Sequence, residues 1–341
     1  MMSESTPAAP VAGLNKLKIP TPIRIGPVNV YLAIGDPLTL IDVGPATEEA
    51  WQALLSGLAA HGYRPQDIRR VLITHHHVDH YGLAQRLVDV CRAEVIAHPY
   101  AVPWLTDPAA ERARHIPFWE QLFAESGVPA EMQLQMAKVT RQTDRYARPV
   151  EVAFTITEGD TLCLGDYCWQ ALYTPGHAGS MICLYQPDTQ ILVSSDHLLR
   201  DVSSNPLIEA PPTPGAHRPR RLLDYMEQLQ RVAALDVQLA LPGHGENITD
   251  HRSLIEHRLK YHRARADRIV HLLSGEPMRL YDMVEPMFSK LDVMNSFLAM
   301  SEILGHLDWL EQEGRIRSTH VDGQLWWRAM NQIPCNRSAS R

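Results

Sequence analysis

A chain of 341 residues, 45% of them hydrophobic, is long enough to bury a sizeable core in one large domain or two. Its formal net charge of −7 argues against a general nucleic-acid binder, although a local basic face is compatible with it. Residues 1–10 lack the apolar segment of a secretory signal, and no run of about 18 apolar residues, the length that spans a membrane, occurs anywhere.

In chain order, residues 1–18 read as a flexible tail. Short branched runs at 23–25, 28–32 and 38–44, broken by Gly and Pro, predict strands. Residues 46–60 predict an amphipathic helix with Trp51, Leu54, Leu55 and Leu58 on one face. A strand at 70–73, a helix over 82–91 and a strand at 94–97 follow. Residues 104–150 have helical periodicity and carry Trp104, Phe118, Trp119, Phe123, Met132 and Met136. Two readings fit this insertion: an adaptable apolar lid over an active site, or ordinary contacts in a helical core. Strands are expected again at 151–157, 161–164, 167–173, 181–185 and 190–194, then a helix over 218–234 and a strand at 237–241. Two rounds of strands followed by helices predict an α/β protein with sheets packed face to face and helices outside.

Past residue 250 the pattern turns helical, over 252–273 and 293–313. A hairpin with an Asp322-Gly323 turn ends it, which predicts a winged-helix-like module. The expected domains are therefore 19–249, carrying the 104–150 insertion, and 250–330, with 331–341 as a second flexible tail. The histidines at 251, 257, 262 and 271 are expected on the surface of the long helix. The five cysteines, Cys91, Cys163, Cys168, Cys183 and Cys335, have no zinc-finger spacing and are expected as reduced thiols of a cytoplasmic protein.

The chemistry concentrates in Thr74-His75-His76-His77-Val78-Asp79-His80. His75, His77, Asp79 and His80 lie within six residues at a strand-to-helix turn, which folds alternating side chains back on one point. Imidazole suits zinc, iron and other borderline metals, and a carboxylate in the same run suits a second, harder site. Three later fragments repeat the theme, each following a strand: Thr174-Pro175-Gly176-His177, Ser195-Asp196 and Leu241-Pro242-Gly243-His244-Gly245. Glycine at such a turn lets a metal approach the backbone closely.

Together these four fragments resemble the metallo-β-lactamase superfamily over roughly residues 20–248. The resemblance implies an αβ/βα sandwich. It places His75, His77 and His177 on a first metal and Asp79, His80 and His244 on a second, with Asp196 bridging both. Two Zn2+ per chain are expected, with Fe or Mn as alternatives. The chain departs from the family in two places. The turn His177-Ala178-Gly179-Ser180 is one residue short, and Ser195 stands where glycine commonly precedes the bridging aspartate. Asp42 resembles a position that supports the site, His197 adjoins the bridging Asp196, and His76 is expected to point away from the metals.

Two cations close together lower the pKa of a bridging water and supply hydroxide, with Asp79 as the catalytic carboxylate that holds it beside Asp196. His77, where the oxygen-reducing di-iron branch carries glutamate, favours hydrolysis, with a mononuclear iron dioxygenase of persulfides, which keeps part of this ligand set, as a minor alternative. With the C-terminal module, the chain resembles glyoxalase-II-like hydrolases, a subgroup that also contains an endoribonuclease. The helix at 293–313 carries Glu302, Asp308, Glu311 and Glu313 and no Lys or Arg, unlike a nucleic-acid recognition helix. The basic residues Arg258, Lys260, Arg263, Arg265 and Arg268 read as solvated helix surface in preference to a phosphate-binding face. The expected partner is a small molecule with an apolar or acyl portion, not nucleic acid or a membrane. A homodimer through the C-terminal module is a further expectation. A dizinc thioester hydrolase is the first reading and an endoribonuclease on single-stranded RNA the alternative. A DNA-binding regulator is disfavoured, because it has no need of seven converging ligands.

Overall fold

The computed structural model describes residues 12–213 and 215–330, which form two compact units. The first takes in residues up to 114, 140–204 and 224–256; the second takes in 115–139, 205–223 and the chain from 257.

The first unit is built on two sheets. One has six strands in sequence order: β1 (Leu14–Ile19), β2 (Val28–Ala33), β3 (Thr39–Ile41), β4 (Arg70–Ile73), β5 (Glu94–Ala97) and β6 (Phe154–Thr155). The first three pair antiparallel and β3 to β6 pair parallel. The other sheet has five strands in the order β11-β10-β9-β8-β7: β7 (Thr161–Leu164), β8 (Tyr167–Tyr173), β9 (Ile182–Gln186), β10 (Ile191–Ser195) and β11 (Leu239–Pro242). Only β10 and β11 pair parallel, as their long crossover requires. Tyr31, Ile41, Leu72 and Ile96 of the first sheet pack with Trp169, Ile182, Leu184 and Val193 of the second to form the core between them.

The outer face of the six-stranded sheet is covered by helices. Helix α1 (Glu48–Ala60) starts at Thr47, whose side chain accepts from the Ala50 amide, and buries Trp51, Leu54 and Leu58. The short α2 (Val78–Tyr81) and α3 (Ala84–Cys91) follow β4. The near-continuous hydrophobic runs of β2 and β4 are thus explained by burial on both faces.

The insertion divides between the units. Helix α4 (Val102–Thr106) lies in the first unit, while α5 (Pro108–Glu125) and α6 (Ala130–Thr143) each run from one unit to the other. Phe123, Val128 and Met136 are buried in the second unit's core, as the helical-core reading of the insertion expects of these residues. Helix α7 (Arg221–Ala233) precedes β11, and α8 (His251–Leu272) runs unbroken across the division at residue 256. The second unit also holds α9 (Val284–Phe288), α10 (Val293–Gln312) and a three-stranded antiparallel sheet in the order β12-β14-β13. Its strands are β12 (Met278–Arg279), β13 (Ile316–Val321) and β14 (Gln324–Ala329). Asp322 and Gly323 both have positive φ, 50° and 77°, as the tight turn of this hairpin requires.

Several expectations are corrected. Residues 14–18, taken as tail, are strand together with Ile19 and pair with β2 in full register. Residues 23–25 form a turn closed by Gly26 N–H to the Ile23 carbonyl instead of a strand. Only Phe154–Thr155 of 151–157 is strand. Cys163 and Cys168, expected as thiols, form a disulfide, because the β7–β8 register sets them opposite each other. Cys91 and Cys183 are free. Residues 1–11, 331–341 and Cys335 lie outside the described residues. His251 and His262 are buried, whereas His257 and His271 are exposed as expected. No helix among the described residues is long and apolar enough to cross a membrane.

Leu54 is fully buried and Leu134 is 71% exposed. We expect Leu54→Ala to cost about 2–5 kcal/mol in urea unfolding of the first unit, and Leu134→Ala to stay within about 0.5 kcal/mol.

Candidate metal centre

Four chain segments meet at one edge of the sandwich, and each leaves the C-terminal end of a strand. The run from His75 to His80 leaves β4, His177 leaves β8, Asp196 leaves β10 and His244 leaves β11. This is the end at which open α/β sheets place their ligands. Backbone bonds hold the segments together: Ile182 N–H donates to the Thr74 carbonyl at 3.0 Å and Asn29 N–H to the Gly243 carbonyl at 2.7 Å. The Asn29 side chain and the Tyr31 hydroxyl both donate to the Pro242 carbonyl, tying the six-stranded sheet to the His244 turn.

All seven side chains anticipated from the sequence converge here, in three overlapping groups: His75, His77 and His177; His75, His80 and Asp196; Asp79, His80 and His244. His77 Nδ1 lies 3.0 Å from both His75 Nε2 and His177 Nε2. Asp196 Oδ2 lies 3.6 Å from His177 Nε2, 3.5 Å from His80 Nε2 and 3.6 Å from His244 Nε2, so it faces both halves of the cluster. Asp79 Oδ2 is 3.3 Å from His244 Nε2.

The tautomers follow from counting protons around Thr74. Its hydroxyl has one proton, given to Asp42 Oδ2 at 2.8 Å. It must therefore accept from His75 Nδ1 at 3.1 Å and from Ser195 Oγ at 2.8 Å. His80 Nδ1 donates to Asp42 Oδ2, and His244 Nδ1 to the Pro27 carbonyl. In each of these three rings the Nδ1 proton is committed outward and the Nε2 lone pair faces the cluster. Asp42 thus orients His80 directly and His75 through Thr74. The roles of the Thr74 and Ser195 hydroxyls were not anticipated; their places next to His75 and Asp196 were the local signal.

The donor set fits metal ions. His80 Nε2, His244 Nε2 and Asp196 Oδ1 are buried with no hydrogen-bond partner, a costly arrangement unless a cation faces them. Burial and neighbouring imidazoles hold His75 and His77 well below the usual histidine pKa, leaving neutral rings fit to ligate. Burial would lower His80, but Asp196, Asp42 and Asp79 outweigh it and raise it well above its usual value. The carboxylate side of the cluster therefore calls for positive charge.

Two further details concern the bridging position. Ser195, where glycine is usual, sits at φ 43°, a left-handed conformation costing about 1–2 kcal/mol. Its hydroxyl bond to Thr74 offsets that cost. Gly243 packs against the donors; a Cβ there would lie 2.2 Å from Asp196 Oδ1 and 3.0 Å from His80 Cε1. His76 is not among the donors. Its ring stacks on Trp104 at 5.1 Å and its Nδ1 lies 2.7 Å from Ser180 Oγ. His197 is fully buried beside Asp196, its ring 5.5 Å from that of Tyr225.

Comparison with known proteins identifies the family. Residues 23–244 match the family model described as the metallo-beta-lactamase superfamily. The chain is 36% identical over 316 residues to the probable metallo-hydrolase YqjP of Bacillus subtilis (strain 168), covering 93% of this chain and 98% of that protein. It is 28% identical over 182 residues to a Bos taurus protein named acyl-coenzyme A thioesterase MBLAC2, covering 50% of this chain and 54% of that one. The crystal structure of the metallo-beta-lactamase family protein TTHA1429 from Thermus thermophilus superposes with a TM-score of 0.81 at 28% identity, covering 94% of this chain and 99% of that one.

Asp42→Ala should weaken metal binding roughly 10–100-fold in competition with a chromophoric chelator, because His80 and Thr74 lose their anchor. Gly243→Ala should lower metal content by displacing Asp196, while Gly275→Ala, whose Cβ would meet only the Leu272 carbonyl at 3.9 Å, should leave it unchanged.

Proposed function

Because the chain belongs to the metallo-β-lactamase superfamily of metallo-hydrolases, we propose that it holds two metal ions, most naturally Zn2+, and hydrolyses thioesters or related activated acyl compounds. The observation that carries this reading is the convergence of seven donors with buried, unpartnered nitrogen and oxygen atoms among them. His75, His77 and His177 would hold one ion, Asp79, His80 and His244 the other, with Asp196 between. Such ions supply a water deprotonated near neutral pH and positive charge for a developing oxyanion.

The chain's own groups do the rest. Burial would raise the Asp79 carboxyl, but His80 and His244 outweigh it and hold it at about 2. Asp79 is therefore anionic throughout the neutral range and can accept a hydrogen bond from the attacking water, fixing its direction. Asp42 and Thr74 keep the imidazoles in one tautomer, so no ring reorientation is needed during turnover.

Two observations favour an acyl substrate. The flat His76–Trp104 stack lies beside the ligand His77, 5.3 Å from its ring, and offers an aromatic surface next to the donors. A relative over half the chain bears the name of an acyl-coenzyme A thioesterase.

The test is thiol release from a panel of acyl-coenzyme A and acyl-glutathione thioesters by zinc-loaded protein. His77→Ala should fall to the uncatalysed background. Trp104→Ala should raise KM more than it lowers kcat, the signature of lost uniform binding. Absence of release from a protein holding two ions would reject the thioester assignment and direct the search to single-stranded RNA.

A further inference from the structure

The second unit contains another convergence of ligating side chains, and none of the chemistry above uses it. His262 on α8 and Glu302 and His306 on α10 are all buried in this unit, with His262 and His306 fully so. Their donor atoms lie within 4.8 Å of one another. Glu302 and His306 stand four residues apart on one face of a helix, a spacing that aims two side chains at one point.

His306 Nδ1 lies 2.6 Å from the Glu302 main-chain carbonyl, which can only accept. The ring proton is therefore on Nδ1, and the Nε2 lone pair faces inward, 3.4 Å from His262 Nδ1. His262 Nδ1 is 3.5 Å from Glu302 Oε1. Both separations exceed those of good hydrogen bonds, about 2.7–3.2 Å. They match the edges, about 3.3–3.4 Å, of a tetrahedron with zinc–ligand bonds of about 2.0–2.1 Å. Ala266 and Ile269 of α8 and Ile303 and Leu307 of α10 belong to the apolar core of the same unit, where burying a carboxylate is costly unless positive charge faces it.

Arg265 supplies the counter-charge in the ion-free state. Its Nη1 lies 2.6 Å from Glu302 Oε1, and its guanidinium lies over the rings of Tyr261 and Phe288. Its side chain is 15% exposed, more than the 7% of Glu302.

We propose that His262, Glu302 and His306 form a separate binding site for a zinc-class divalent cation, which joins α8 to α10 and competes with Arg265 for Glu302. The two imidazoles and the carboxylate are the ligands, and a fourth position is left for water. The site is independent of the hydrolase centre and of the reaction assigned to it.

The test is zinc content per chain of the full-length protein, together with an anomalous difference map at the zinc edge from crystals grown with zinc. The map should show a peak among His262, Glu302 and His306. His262→Gln should hold one equivalent less than wild type, and Arg265→Gln should lose that equivalent to a chelator several-fold more slowly. Each comparison reads this site by its own residues, so the state of the other centre does not enter. Equal zinc in wild type and His262→Gln overturns the proposal. So does a wild-type map without a peak at these residues, which decides the matter even if the variant fails to fold.

Discussion

The structure depends on one electrostatic imbalance. Seven ligating side chains, two of them carboxylates, are gathered at a sheet edge, and several of their polar atoms are buried without hydrogen-bond partners. Desolvation of this kind costs several kcal/mol unless opposite charge faces it. The fold holds the arrangement in place from outside. Asp42 receives three hydrogen bonds, from the Thr74 amide, the Thr74 hydroxyl and His80, and through them fixes two imidazoles at once. Asp42 has φ 58° and Ser195 has φ 43°, so backbone strain collects where the donors are positioned. The remainder of the first unit serves this geometry: β4, β8, β10 and β11 end at one edge, and the turns after them deliver the seven donors.

Much of this was legible in the sequence because donor residues cluster at turns flanked by short branched runs. The strands at Thr161–Leu164 and Tyr167–Tyr173 match their patterns to the residue, as alternation and a tight Gly165-Asp166 turn leave little choice of register. The seven donors converge because each turn follows a strand of the same sandwich. Less visible were features set by tertiary context. β1 carries Asn15, Lys16 and Lys18, and its pairing with β2, not its own pattern, makes it a strand. Residues 23–25 have strand-like composition but close a turn instead. The disulfide between Cys163 and Cys168 follows from cross-strand register, which spacing alone did not disclose.

The second unit shows the same limit more sharply. Its core draws Phe123 and Met136 from the insertion, Ile208 from the segment after β10, and Ile269, Ile303 and Trp327 from the C-terminal elements. No local window reveals that these belong together. Arg265 of α8 reads as solvated surface in sequence, yet it pairs with Glu302, which is buried on α10; Asp308 of that helix is likewise buried and paired with Arg218. His262 looked like surface for the same reason: its helix neighbours Tyr261 and Arg263 are exposed, and only the facing helix explains its burial.

The central claim is that the hydrolase centre works only when its donors hold metal. The most direct measurement is thiol release from acyl-coenzyme A by protein stripped of metal with a chelator, followed as zinc is returned in steps. The account predicts no turnover in the stripped protein and recovery to a plateau as zinc is added. Full turnover by the stripped protein would contradict it.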